Sequence, residues 1–230
     1  MNIEKLCKMQ EELDTEIIAG KNIDWTPTER YYNTLVALDV ELSEFANEGR
    51  WFKRWSQNQT PKTKIESICT TCSGSGDENH DNIVDDLAGG YAHECVPCKD
   101  CDATGSLGFK NPLLEEFVDS VHFFLSVANQ QDWQEQLYLY EEAIDDLRED
   151  GFDGGMNGIY LEIKMNLSRL LQTNEEEYFI GKSKHEFHFH HAWFCFIALG
   201  MIGFDFTWED IEKGYLSKHK TNYERQESGY

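Results

Sequence analysis

Apolar residues recur at helical spacing along most of this 230-residue chain, and the pattern fails once, between residues 57 and 110. That single interruption implies a helical body carrying one inserted module of different chemistry. Over residues 3–19, Leu6, Met9, Leu13, Ile17 and Ile18 share a stripe, and Gly20 suits the helix end. Thr26-Pro27-Thr28-Glu29 is a start signal: a Thr N-cap, Pro at the first helical position and Glu at the third form a capping box. The helix it begins should bury Leu35, Leu38, Leu42 and Phe45 and run to about Asn47. Asn111-Pro112 restarts a helix that reaches about Asn129. Others are expected at 133–149, 157–173 and 185–200, and Thr207 caps the last toward residue 224. Four prolines in the whole chain agree with an all-α fold.

Charge removes some functions. With 43 acidic and 20 basic side chains the formal net charge is −23. Direct nucleic-acid binding needs a basic face, so none is expected, and an anionic membrane surface is disfavoured. No apolar run approaches the ~20 residues that span a bilayer. The opening MNIEKLCKMQEELDTEI carries acids and lacks an apolar signal core, so a cytoplasmic location is expected. Cys7 and Cys195 lie in apolar contexts and read as reduced core thiols. An odd count of seven cysteines argues against a disulfide framework.

Against this acidity, the stretch ELSEFANEGRWFKRWS (41–56) sets a dense basic and aromatic cluster beside two carboxylates. Glu41 and Glu44 are three apart on a helix and share a face, and Glu116 and Asp119 repeat the spacing in EEFVDSVHFF. Two antiparallel helices could aim all four at one point, where they cannot all stay ionised without a cation. Mg²⁺, a hard ion that takes oxygen ligands and keeps substrate phosphates in its shell, answers that need. A carboxylate beside it could act as base for a water nucleophile. Lys53 and Arg54 would suit a polyphosphate, and Trp51, Phe52 and Trp55 could wall a base or sugar pocket. A lone ExxE, by contrast, is most often a solvated helix face.

ELSEFANEGRWFKRWS followed by EEFVDSVHFFLS resembles the ExxE…ExxD signature of the all-α, MazG-like NTP pyrophosphatases. Within them it is most similar to the dimeric dUTPases and the phage dCTP/dUTP pyrophosphatases. MQEELDTEI (9–17) resembles their opening helix, FKRWS their Phe-Lys-aromatic-Trp-Ser turn, and YLSKHKTNYERQESGY their closing segment. The likeness covers about 1–56, 111–129 and 195–230. It implies a helical homodimer that uses Mg²⁺ to cleave a deoxynucleoside triphosphate to the monophosphate and pyrophosphate. By the resemblance, Glu41, Glu44, Glu116 and Asp119 bind the metal, and Glu44 also orients the attacking water. Lys53, Lys218 and Arg225 carry over as phosphate contacts, with Asn222 and Tyr230 completing the phosphate and ribose shell. Gln10, Trp55, His122 and Asn129 are candidates for the base and sugar pocket, although His122 and Trp55 suit a core role equally.

The chain departs from that pattern between the two carboxylate pairs. Residues 57–110 form a second domain within a body of 1–56 and 111–230. There Cys69-x-x-Cys72-x-Gly-x-Gly and Cys98-x-x-Cys101-x-Ala-x-Gly resemble the paired knuckles of a DnaJ-type zinc module. Two CxxC hairpins give a tetrahedral set of four cysteines, the closed geometry of structural zinc. Cys95-x-x-Cys98 is a competing pair, set aside because it lacks the trailing small residues. A redox CxxC or an iron–sulfur cluster is the alternative chemistry. The module could serve as a dimer contact, a lid, or a docking surface for a protein partner.

Two other stretches invite weaker readings. HEFHFHHAWF (185–194) more often lines a core than a metal, and YEEAIDDLREDGFDGG lacks the alternating ligands of an EF-hand. The leading function is Mg²⁺-dependent hydrolysis of dUTP, or of dUTP and dCTP. A pyrophosphatase for another dNTP, or a non-enzymatic zinc-bearing interaction protein on the same scaffold, is the alternative.

Overall fold

The computed structural model describes residues 1–172, 178–179 and 181–227. Among them the helices are α1 Ile3–Gly20, α2 Pro27–Gly49, α3 Ile83–Ala88, α4 Pro112–Gln131, α5 Glu141–Asp150, α6 Gly155–Arg169, α7 Lys184–Gly203 and α8 Trp208–Glu227. Among the described residues strand is confined to two antiparallel ribbons, β1 Ile65–Ile68 with β2 Ser106–Lys110, and β3 Tyr178–Phe179 with β4 Lys182–Ser183. The fold is all-α. The chain divides into two compact units, Met1–Pro61 with Leu113–Tyr230, and Lys62–Pro112. The smaller unit therefore starts and ends a few residues later than the change in composition suggests.

The helix starts follow from their caps. Thr26 Oγ1 accepts from Glu29 N at 3.2 Å while Glu29 Oε2 accepts from Thr26 N at 2.8 Å, closing the capping box, with Pro27 in the first turn. Ser183 and Glu186 do the same for α7. These caps fix where each helix begins, and so fix the phase of everything downstream. In α2 the phase buries Leu35, Leu38, Leu42 and Phe45, and in α4 it buries Leu113, Phe117, Val121 and Phe124. Their aromatic rings meet at the core: Phe117 stacks on Phe196 at 4.2 Å, and Phe45 meets Phe117 edge-on at 5.2 Å.

The expected helix at 133–149 is instead a 3-10 turn, Gln134–Leu137, an extended link and then α5. Helix α7 breaks it. Trp193 Nε1 donates to the Leu137 carbonyl at 2.8 Å, and His190 Nδ1 donates to the Gln136 carbonyl at 2.7 Å. Both carbonyls are the ones a continuous helix would use for its own i→i+4 bonds.

The histidines of α7 are otherwise core and packing residues with partners. His188 Nδ1 lies 2.8 Å from Asn166 Oδ1, and His191 Nε2 lies 3.3 Å from Glu162 Oε1. No single helix among the described residues is long and apolar enough to cross a membrane.

Candidate active site and metal centre

The same phase that buries one stripe of α2 and α4 sets their carboxylates on the flanking stripe. There the carboxylate oxygens of Glu41, Glu44 and Glu116 lie within 4.8 Å of one another, with Glu41 and Glu116 half-buried and Glu44 exposed. One turn on from Glu116, Asp119 Oδ2 accepts from Lys218 Nζ of α8 at 2.5 Å. Burial pushes the Glu41 carboxyl up to about 7, and the charges of Asp119, Glu44 and Glu116 add to it. Burial pushes Glu116 to about 7 as well, with Asp119, Glu44 and Glu48 contributing. Asp119 is also raised by burial, although Lys218 and the charge of Arg225 pull against this. Two carboxyls that hold protons near neutrality mark a local deficit of positive charge. The donors are all carboxylate oxygens, so the group that fits is a hard divalent cation.

Helices α2 and α4 run antiparallel from this cluster, because Gln130 near the end of α4 donates from Nε2 to Thr34 Oγ1, near the start of α2, at 2.8 Å. On α4 the residues Glu116, Asp119, Phe123, Ser126 and Gln130 follow helical spacing down one stripe. On α2 the matching stripe is Arg30, Asn33, Thr34, Ala37, Glu41 and Glu44. The ends of the two stripes away from the carboxylates line an open pocket of about 270 Å³, together with Asp14, Ile17 and Ile18 of α1 and Trp25. The carboxylates and the apolar pocket thus lie toward opposite ends of the same two helical stripes.

Gln10 and His122 meet and are each only 4 % exposed. Gln10 Nε2 donates to Asp14 Oδ1 at 2.7 Å, so its Oε1 faces the other way and accepts from His122 Nδ1 at 2.6 Å and from the Tyr215 hydroxyl at 3.1 Å. His122 is therefore the Nδ1–H tautomer. Burial, helped by the charges of His219 and Lys218, pushes its pKa down to about 3. Arg30 Nη2 holds the second Asp14 oxygen at 3.3 Å.

The other sequence candidates have these surroundings. Lys53 Nζ donates to the Asn47 carbonyl at 2.9 Å, closing the end of α2. Trp55 is 78 % exposed and meets Phe52 edge-on at 5.7 Å. Asn129 spans two segments, donating to the Cys7 carbonyl at 2.7 Å and accepting from Gln134 at 3.3 Å. Asn222 is half-buried and Arg225 exposed on α8, and Tyr230 lies outside the described residues. Sequence reasoning gave no role to Asp14, Tyr215, Ser126 or Gln130. Only Asp14 carried a signal, as the acid four residues after Gln10.

In the smaller unit the sulfurs of Cys69, Cys72, Cys98 and Cys101 all lie within 4.8 Å of one another and all four residues are buried, whereas Cys95 is exposed. The two knuckles mirror each other. Gly76 N donates to Cys72 Sγ and Gly105 N to Cys101 Sγ, both at 3.2 Å. Cys69 N donates to the Gly105 carbonyl at 3.0 Å and Cys98 N to the Gly76 carbonyl at 2.9 Å. Both glycines sit at positive φ, +79° and +76°. A Cβ on Gly76 would meet the Ala103 oxygen at 2.3 Å, and one on Gly105 the Gly74 oxygen at 2.1 Å. No L side chain fits there. Burial raises the Cys72 thiol, but the Gly76 N–H and the neighbouring thiols outweigh it and leave it lowered to about 7. Four converging sulfurs with N–H donors behind them match the donor set of a closed, thiolate-bound metal.

A family model described as dUTPase matches residues 2–68 and 108–230, which leaves out the four-cysteine knuckles. No curated protein and no solved structure matches the chain.

Proposed function

Because the chain belongs to the dUTPase family and is a dUTP diphosphatase-like hydrolase, we propose that it uses Mg²⁺ to cleave dUTP, with dCTP as the nearest second substrate, to the monophosphate and pyrophosphate. Glu41, Glu44, Glu116 and Asp119 hold the ion. The observation that carries this reading is the convergence of Glu41, Glu44 and Glu116 within 4.8 Å, at the opposite end of the two helical stripes from the apolar pocket. Bound there, Mg²⁺ supplies charge neutralisation along the triphosphate. The exposed Glu44 takes a proton from the attacking water as its oxygen bonds to the α-phosphorus, and the bridging oxygen leaves with pyrophosphate. Lys218, held by Asp119, and Arg225 face the charge that the phosphates bring. The base enters the pocket beside Phe123, about 10 Å along α4 from Asp119 to Ser126 at 1.5 Å per residue.

In the same reading the four thiolates of Cys69, Cys72, Cys98 and Cys101 hold a structural Zn²⁺, since the smaller unit has little apolar core and metal binding would supply folding energy. The chain acts as a homodimer in a reducing cytoplasm. Exposed Tyr32, Val36 and Val40 on α2 and Leu161 and Met165 on α6 support an apolar contact face. The test is pyrophosphate release from the four standard dNTPs and dUTP, with Mg²⁺ and after chelation. Selective Mg²⁺-dependent release from dUTP is expected. No release from any of them by folded protein would overturn the reading.

A further inference from the structure

Two buried polar atoms in the pocket wall have no partner among the described residues: Gln130 Oε1 and Ser126 Oγ. Both residues line the apolar pocket, and Ser126 is 2 % exposed. The hydroxyl of Ser126 tempers the Asp14 carboxyl without closing a hydrogen bond to it. A buried polar atom left unpaired costs stability. Such atoms in a pocket wall are positions where a ligand gains.

The direction of the Gln130 amide is not free. Thr34 Oγ1 donates its only hydrogen to the Arg30 carbonyl at 2.9 Å, so toward Gln130 it can only accept. The Gln130 NH2 must therefore face Thr34, at 2.8 Å, and its carbonyl oxygen must be the unpaired atom. The chain Arg30 C=O, Thr34 O–H, Gln130 amide thus fixes a hydrogen-bond acceptor beside a hydroxyl that can donate or accept. By contrast, both the nitrogen and the oxygen of the Gln10 amide have partners, in Asp14, His122 and Tyr215.

We propose that Gln130 is a specificity-determining residue whose carbonyl accepts from the base edge, with Thr34 as the residue that points it and Ser126 as the adaptable neighbour. This inference rests on the dUTP reading above. The edge required is a donor, next to a polar atom of either kind that the Ser126 hydroxyl can meet. Uracil supplies it as N3–H beside O4, and cytosine as its 4-amino group beside N3. A pyrimidine whose donor is blocked leaves Gln130 unpaired and is rejected.

Pyrophosphate release with Mg²⁺ tests this on dUTP, dCTP and 3-methyl-dUTP, using the wild-type chain, Gln130→Met and Thr34→Val. Wild type should prefer dUTP to 3-methyl-dUTP. Gln130→Met should lower kcat/KM for dUTP, for dCTP, or for both by about 10- to 100-fold, the loss expected when a hydrogen bond to a buried group goes. It should leave 3-methyl-dUTP nearly unchanged, so that the gap closes. The unmethylated substrate affected identifies the donor read. Thr34→Val, which frees the amide to turn over, should close part of the gap through KM and carries the test if Gln130→Met does not fold. An equal loss on all three substrates, or no loss on any, overturns the inference while the dUTP reading stands. A wild-type chain inactive on every nucleotide sinks both.

Discussion

Lys218 Nζ sits 2.5 Å from Asp119 Oδ2, so the last carboxylate of the cluster is already paired with a cation from α8. A metal bound as proposed would compete with that ammonium for Asp119, while a triphosphate would draw it away. Replacing Lys218 by Met should therefore separate two quantities that usually move together. Mg²⁺ affinity, read by calorimetry, should hold or rise, because a repelling charge is gone. Turnover of dUTP should fall by at least about 10-fold, because a charge-assisted contact worth roughly 1.5–3 kcal/mol to the phosphates is lost. A variant that binds Mg²⁺ more weakly than wild type would show that Lys218 only props up the site.

The raised carboxyls set a pH dependence for the metal-free protein. Glu41 and Glu116 rise from 4.5 to about 7 in the fold, so the folded state holds more protons between those values. Their contribution to stability is full below about pH 4.5 and is lost as pH climbs through 7. Mg²⁺ should reverse that loss. The rise in Tm on adding Mg²⁺ should be small at pH 5.5 and several degrees at pH 8. Glu41→Gln should raise the metal-free Tm at pH 8 and cut dUTP turnover by about 100-fold or more. A Mg²⁺ effect on Tm that does not change with pH would contradict the clustering.

The two kinds of cysteine in the smaller unit should answer differently to substitution. Cys98→Ser removes one of four converging sulfurs and should abolish the proposed zinc binding, for which about one ion per purified parent chain is the expected reading. Proteolysis should then cut within residues 62–112. Cys95→Ser, at an exposed thiol outside the group, should keep both the zinc and the protection. Zinc retained in Cys98→Ser but lost in Cys95→Ser would reassign the ligands.

The exposed apolar residues of α2 and α6 can be tested by charge. Val36 and Leu161 are each 65 % exposed, so Arg at either should cost the folded chain little, within about 0.5 kcal/mol. Val36→Arg with Leu161→Arg should shift the mass measured by light scattering from two chains to one. An unshifted dimer would place the contact elsewhere.

Much of the candidate site's geometry was legible because it depends on local phase. A capping box at Thr26 starts α2, Pro112 starts α4, and i, i+3 spacing does the rest for Glu41, Glu44, Glu116 and Asp119. The paired CxxC knuckles were readable for the same reason: the turn geometry is written within eight residues. What escaped was set by packing between segments far apart in sequence. The break before α5 comes from Trp193 and His190 taking two backbone carbonyls more than fifty residues earlier. The burial of Gln10 and His122 depends on Tyr215, some 205 residues from Gln10. The free oxygen of Gln130 depends on which hydrogen Thr34 has already given away, and no spacing rule carries that information.

The stripe that α4 lends to the candidate site gives the protein a ruler. Asp119 and Ser126 are seven residues apart on one rigid helix, so the separation between the charged and apolar ends cannot stretch to suit a guest. In the proposed reading pyrophosphate alone would touch one mark on that scale, and a free nucleoside only the other. The scale also has a phase. One residue inserted between Asp119 and Phe123 would turn the pocket wall about 100° away from the carboxylates. Both ends would keep their chemistry, yet no single molecule could lie along them.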